Sequence, residues 1–407
     1  MGLRKFVDKI KPTFSEGGKL SFLHSTFEGF ETFLYAPNTV TKRGAHIRDC
    51  NDIKRVMITV VVALIPAMLF GMYNLGRMAG FTGMWDAFLF GLVEMLPMIV
   101  VSYVVGLSIE FAFAQVRRHE INEGFLVTGL LIPLVMPIGV PLWVVALSTA
   151  FAVIIGKEVF GGTGMNVFNP ALLARAFAFF GYTSSMSGET AWYAGGTVHK
   201  WLGLTPAGTG EVMTSGATPL AQLSDGAAAY TADWSNFQDA FFGFIPGSMG
   251  ETSTLAILIG AVILLFTGVA SWRTMISVFA GGLLMGLVFN LVGADPASLP
   301  ADATPEAIAR AEYMNIPAYW HLVVGGFAFG AVFMATDPVT SAQTNTGKWI
   351  YGLMVGMLAV LIRVINPAYP EGMMLSILFM NALAPLIDYF VVERNIARRK
   401  KLIKNVK

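Results

Sequence analysis

One cysteine, Cys50, is present in 407 residues. That single thiol excludes an internal disulfide, an iron–sulfur cluster ligated by this chain's cysteines alone, and a cysteine zinc site. Any redox group must be organic or belong to a partner. Charge is scarce as well: Asp, Glu, Lys and Arg make up 13% of the chain, where soluble domains carry about 25%. The five histidines, His24, His46, His119, His199 and His321, are scattered with no i,i+4 pair, so no histidine metal site is expected. The glycine-rich stretch around residue 162 lacks the adjoining Lys and Ser/Thr of a phosphate-binding loop, which leaves nucleotide hydrolysis unsupported. Residues 1–54 are polar and basic, without a short apolar core and small-residue cleavage site, so no removable signal peptide is expected. The net charge of +1, with basic residues crowded at the two ends, gives no reason to expect a nucleic-acid partner.

What the chain has in abundance is apolar sequence, 55% of residues, with a mean hydropathy of +0.63. Stretches long enough to cross, or nearly cross, about 30 Å of hydrocarbon run over residues 55–73, 93–115, 124–138, 142–155 and 170–182, and then 254–270, 275–292, 321–335, 350–364 and 373–392. The third, fourth and fifth are short, as in proteins with discontinuous helices. Lys42, Arg43, Arg48, Lys54 and Arg55 precede the first stretch, Arg117 and Arg118 follow the second, and Arg394, Arg398, Arg399, Lys400 and Lys401 follow the tenth. Basic flanks belong on the cytoplasmic side. The segments 183–251 and 295–312 are instead acidic, with Lys200 the lone lysine of the first, and are placed outside. Both termini inside and both acidic segments outside require five spans before the long loop and five after it. The expected fold is an all-α polytopic membrane protein of ten transmembrane helices in lipid. Residues 1–54 form a basic cytoplasmic extension, 55–182 and 253–392 the two membrane halves, 183–252 an outer-face loop and 393–407 a basic cytoplasmic tail.

With an odd number of spans per half, any internal repeat is inverted. Asn169-Pro170-Ala171 recurs as Asn366-Pro367-Ala368, and Gly124-Phe125 recurs in the same order as Gly326-Phe327. Each half also breaks a span near a proline, at Met136-Pro137 and Asp337-Pro338. These matches predict two inverted five-span repeats, as in urea transporters, with sites near the repeat interface.

Three sets of residues carry chemistry. Phe160 to Pro170, with Gly161, Gly162, Thr163, Gly164, Asn166 and Asn169, either lets backbone approach a ligand beside the free amides of a helix starting at Pro170, or is a tight helix–helix turn. Ionisable residues inside apolar stretches are functional candidates by default; these are Glu94, Glu110, Arg175, Asp337, Arg363 and Asp388. Arg175 and Arg363 fit structural pairing with carboxylates, and Glu110 and Asp388 lie near enough to span ends to snorkel. Asp337 precedes a proline at a helix break, where freed carbonyls could join its carboxylate around a cation. Last, Ser215-Gly216-Ala217-Thr218 lies in an outer loop of roughly 70 residues, a length that is commonly functional, and offers a hydroxyl flanked by small residues to a modifying enzyme.

Along almost its whole length the chain resembles the B subunits of the sodium-translocating NADH:quinone oxidoreductases of bacterial membranes. The resemblance is carried by Val40 to Arg43 with His46, Arg48 and Asp49, by His119 to Phe125, by Lys157 to Ala171, by Ser215 to Thr218, and by Ile245 to Ser248. It continues through Met334 to Val339, Asn345 to Trp349, Arg363 to Met373 and Val391 to Asn395. It implies FMN joined to Thr218 by a phosphoester and a noncovalent riboflavin near the glycine-rich turn, engaging Gly161, Gly162, Asn166, Asn169 and Pro170. It implies electrons received from the C subunit outside and delivered to ubiquinone or menaquinone near the inner face with the A subunit. By the same resemblance, sodium transport is coupled to residues matching Glu110, Asp337 and Asp388, and the D, E and F subunits complete a complex in the bacterial inner membrane. Gly106-Leu107 stands where the family carries a Gly-Gly pair in the quinone region. Gly106 is therefore the quinone-region candidate, and the departure at Leu107 bears on inhibitor contacts rather than on the fold. The D subunit of Rnf complexes is similar but largely lacks a basic extension before the first span. A urea-transporter-type channel is the alternative without a flavin.

Overall fold

The computed structural model describes residues 3–14, 27, 31, 44, 53–117, 124–188, 216–224, 232–300, 303–366, 369 and 371–406. These residues are helices and turns, with one isolated bridge at Gly216. An amphipathic helix α1 (Leu3–Phe14) precedes the apolar body. Long helices follow as α2 (Ile53–Met78) and α3 (Met84–Arg117). Three short ones come next: α4 (Phe125–Leu134), α5 (Leu142–Val153), which runs into a π turn over Ile154–Glu158, and α6 (Pro170–Gly181). The intervening segment contributes α7 (Thr183–Met186), α8 (Pro219–Ser224) and α9 (Trp234–Phe242). The second half has α10 (Thr254–Phe266), α11 (Trp272–Val292), α12 (Pro305–Met314), α13 (Trp320–Val323), α14 (Phe327–Phe329) with a π turn over Gly330–Met334, α15 (Asn345–Ile365) and α16 (Met373–Val406).

Five of these, α2, α3, α11, α15 and α16, are long and apolar enough to cross a membrane, and α4, α6 and α10 are shorter apolar helices. Helix α3 begins well before residue 93, and α16 continues as one helix past Val392 through its basic residues. The expected span over 321–335 is instead broken into α13, α14 and a π turn. Its break falls at Gly325, whose φ of +69° suits glycine and few other residues.

Broken helices leave backbone groups that lipid cannot satisfy, and the connecting segments supply partners. At the end of α4 the Leu134 carbonyl accepts from the Gly250 N–H (2.9 Å), and the Val135 carbonyl accepts from Ser248 Oγ (3.4 Å). At α13 the Val323 carbonyl accepts from Thr254 Oγ1 (3.2 Å), and the His321 carbonyl accepts from Arg363 Nη1 (2.8 Å). The segment 243–253 is therefore folded into the body.

Helices α11 and α15 form the most extensive helix pair, α2 packs on α3 and α10, α3 on α5, and α6 on α16. Lipid provides little hydrophobic drive between helices, so close backbone approach through small residues matters. A Cβ on Gly356 of α15 would overlap the backbone of Val278 and Gly282 on α11, and one on Gly281 would overlap Leu353. Backbone cannot swing aside as a side chain can. Gly356→Ala is expected to cost about 1–3 kcal/mol by overpacking, lowering the thermal midpoint in detergent. Gly181→Ala, with nothing within 4 Å of the new methyl, serves as the control.

Candidate functional site

Two cavities lie toward opposite ends of α6. Asn169 at its start lines the first, and Arg175 and Phe179 line the second; Asn169 and Phe179 are about 15 Å apart along the helix axis. The broken element 327–334 runs between the same cavities, with Gly325 and Gly326 at the second and Asp337 just beyond its end at the first.

The first cavity is built by the glycine-rich turn. Gly161, Gly162 and Gly164 have φ of +122°, +97° and +90°, conformations that permit the chain to reverse tightly between α5 and α6. Thr163, Gly164, Asn166, Asn169 and Pro170 face the cavity with Asp337, against an apolar wall that includes Leu131 and Phe333. Gly161 and Gly162 are outside that lining. The expected free amides at the start of α6 are not free: Ala171 N (3.0 Å) and Leu172 N (3.3 Å) donate to Asn169 Oδ1, and Leu173 N donates to the Asn169 carbonyl. Asn169 is the helix cap, with Pro170 in the first turn, an arrangement that consumes the amides. Its Nδ2 donates to Asp337 Oδ2 (3.4 Å). Asp337 also accepts from Val339 N and Thr340 Oγ1, each at 3.0 Å. The Asn381 amide of α16, oriented to accept from Asn169 N–H (3.2 Å), donates to Tyr351 Oη and the Thr340 carbonyl. Asn166 is buried, and its Nδ2 donates to the Phe168 carbonyl (3.1 Å).

Lys157, in the π turn at the end of α5, also lines this cavity. It forms a buried ion pair with Glu110 of α3. Glu110 therefore does not snorkel: burial leaves the lysine as its neutralising partner. Glu158 pairs separately with Arg117 (2.9 Å). Sequence reasoning did not single out Lys157. Its signal was an adjoining lysine and glutamate placed at the end of an apolar run.

Gly106 sits beneath the ring of Phe125, which a Cβ there would overlap. Gly106→Ala is expected to displace Phe125 and the start of α4, next to cavity residue Gly124, and to broaden the local ring signals in NMR of fluorine-labelled phenylalanine. Asp388 is at neither cavity. Its carboxylate accepts from Gln343 N (2.6 Å), Thr344 N (3.0 Å) and Thr344 Oγ1 (2.5 Å) at the start of α15. Asp388→Asn is expected to destabilise that start by roughly 1 kcal/mol, seen as faster amide exchange over 343–348.

The second cavity contains Thr218. Thr218 is half-buried, its N–H donates to the Gly188 carbonyl (2.9 Å), and its Oγ1 accepts from Ala221 N (3.3 Å) at the start of α8. Gly216 and Ala217 lead into it, and Ser215 lies outside the described residues. Across the cavity Arg175 bridges two carboxylates, Glu251 at 2.5 Å through Nη1 and Glu371 through Nη2. Pairing with carboxylates was the expected role of Arg175. Glu251 ends the acidic segment 183–251 that the charge pattern places outside, yet it is buried. Burial pushes its carboxyl up to about 7, and Arg175 opposes the rise. Arg363 pairs with no carboxylate by hydrogen bond among the described residues: it donates to the carbonyls of His321 and Glu371. Glu94 is buried within α3.

The model of the NQR2, RnfD, RnfE family matches residues 40–397. The chain is 45% identical to a protein of Stutzerimonas stutzeri and 46% identical to one of Ectopseudomonas mendocina, in both cases over 100% of each chain. An Azotobacter vinelandii protein is likewise 45% identical over the full length of both chains. All three are named as the B subunit of a Na(+)-translocating NADH-quinone reductase. With its motifs and its full-length matches, the chain belongs to the NQR2, RnfD, RnfE family.

Proposed function

We propose that this chain is the membrane B subunit of a sodium-translocating NADH:quinone reductase in a bacterial inner membrane, where it relays electrons from FMN on Thr218 through a riboflavin at the Asn166–Asn169–Asp337 cavity toward ubiquinone or menaquinone. The A, C, D, E and F subunits of the same complex are its partners. The observation that carries the reading is the pair of cavities joined by α6 and by the broken 327–334 element, one opening on the Thr218 hydroxyl and the other on buried polar groups. Flavins accept and donate electrons, and protein fixes their distance, dryness and potential. Thr218 fits attachment: a hydroxyl held by backbone contacts at a partly open cavity. The first cavity fits a heteroaromatic ring, with apolar walls and a few polar groups in fixed positions.

Two inverted repeats are favoured by part of the packing, although the α2–α3 pair has no α10–α11 counterpart of similar extent. If α2, α3, α4, α5 and α6 correspond to α10, α11, the 320–334 element, α15 and α16, then α3 on α5 matches α11 on α15. Likewise α5 on α6 matches α15 on α16, and α2 on α10 and α6 on α16 each join counterpart helices. The basic flanks favour cytoplasmic termini. The first cavity, lined by Lys157 whose neighbour Glu158 pairs with Arg117 at the end of α3, then faces inward, and Thr218 faces outward. Asp337 lines the inner cavity and Glu110 pairs with its lysine, which makes them the better placed of the ion-coupling candidates; Asp388 lies apart at the start of α15.

The test is a denaturing gel of the purified chain, made in cells with a flavin transferase, viewed for flavin fluorescence. A fluorescent band is expected. A dark band would overturn the electron-carrier reading in favour of a solute channel.

A further inference from the structure

Lys157 belongs at once to the wall of the first cavity and to a buried ion pair. Its Nζ carries three donors, and one of them is spent on Glu110. Its neighbour Glu158 is held by Arg117 through both the carboxylate (2.9 Å) and the backbone carbonyl (2.7 Å). Lys157 is thus the cation that hydrogen-bonds Glu110, each side chain about 95% buried, with the Glu158 charge close enough to be felt by Glu110. The lysine sits in a π turn, a distortion that often marks functional positions in helices. At low effective dielectric a buried ammonium answers strongly to any new charge nearby, and the cavity it lines also contains Asp337, Asn166 and Asn169.

We propose that Lys157 is the charge-compensating positioning residue of this cavity, held in reserve by Glu110 and drawn toward the cavity when the group bound there gains negative charge. Glu110 is then left without its cation, so the arrival of an electron is converted into an unpaired buried carboxylate one helix away. The electron comes from the upstream carrier, the ammonium keeps its proton throughout, and the unpaired Glu110 carboxylate takes one proton from water, which makes it the neutral acid that carbodiimide captures. This role rests on the reading that the cavity holds a noncovalent flavin.

The experiment uses the intact purified complex. Carbodiimide, which captures carboxyl groups in apolar surroundings, is applied with the complex oxidised and then with it reduced by NADH, and modification of Glu110 is located by peptide mass spectrometry. Glu110 is expected to be protected in the oxidised complex and modified at least tenfold more in the reduced one. In Lys157→Met it is modified equally in both states. Equal modification in both states of the wild type would overturn the proposal. A second measurement follows the midpoint potential of the extractable flavin. Lys157→Met is expected to lower the reduced-to-oxidised ratio at a fixed potential about tenfold, equivalent to about 59 mV for one electron. Glu110→Gln is expected to raise the ratio, and to have no effect once Lys157 is Met. Additive shifts, or none, would overturn the coupling. Where Lys157→Met fails to assemble, the wild-type labelling and Glu110→Gln alone still decide. If extraction of the wild-type complex yields no noncovalent flavin, the underlying reading fails, and that result is distinguishable from flavin present without a redox-dependent Glu110.

Discussion

Thr218→Ala is expected to remove the covalent flavin completely while leaving the chain folded, and Thr218→Ser to retain it. The separation follows from what the hydroxyl does in the structure. Its oxygen accepts one hydrogen bond, from Ala221 N at 3.3 Å, at the start of a six-residue helix. Losing a capping hydroxyl costs about 0.5–2 kcal/mol, and here the cost falls on a local element. The backbone anchor from Thr218 N to Gly188 O survives either substitution, and Pro219 and Leu220 beyond it remain buried. A phosphoester, by contrast, has no alternative oxygen at alanine. The measurement is in-gel fluorescence together with the mass of the peptide containing residue 218. A fluorescent Thr218→Ala band would move the attachment elsewhere. Gly188 supplies an internal check: a Cβ there would sit 3.0 Å from the Thr218 oxygen, so Gly188→Ala should crowd the hydroxyl and lower occupancy without abolishing it.

The long helices were legible because continuous apolar runs have one simple outcome in lipid, and α2, α11 and α15 fall close to the expected residues. The short helices were legible as interruptions. Proline and glycine told where chains break, and Pro170 after Asn169 marked the start of α6. What could not be read was which groups satisfy the broken ends. Thr254 and Arg363 reach carbonyls of 320–323 from distant positions in the chain, and nothing in local sequence announces such pairings. The same limit applied to charge. An acidic residue in a loop reads as solvated, yet Glu251 is carried into the body because its neighbours Ser248 and Gly250 complete the end of α4. The family resemblance brought Asn166 and Asn169 forward, a carboxylate beside a proline at a helix break brought Asp337, and the fold places all three on one cavity. Neither signal could place Lys157 among them, because that depends on α5 ending in a π turn.

Arg175→Met is expected to be the most destabilising single substitution at either cavity. Arg175 neutralises Glu251 at 2.5 Å and also pairs with Glu371. All three are largely buried, with side chains 10%, 9% and 15% exposed. Removing one partner from a buried ion pair costs about 3–5 kcal/mol, because the charge left behind has no compensation. Here two carboxylates lose their hydrogen-bonded cation together, and Arg363, whose Nη1 and Nη2 donate to the carbonyls of His321 and Glu371, acts on them only through its charge. Protonation of one carboxylate is the cheapest relief. Glu251 is the group to take the proton, because burial already raises its carboxyl to about 7 with Arg175 present. Without Arg175 that carboxyl rises further, so the variant should recover stability as the pH falls and the stranded group takes its proton, and lose it as the pH rises. Adding Glu251→Gln and Glu371→Gln removes the stranded charges and should restore most of the thermal midpoint in detergent at pH 8. If Arg175→Met were as stable as the parent, or if the neutralising pair failed to rescue it, the ion cluster would contribute nothing to holding the 243–253 segment against α6. The Thr218 cavity would then owe its shape to packing alone.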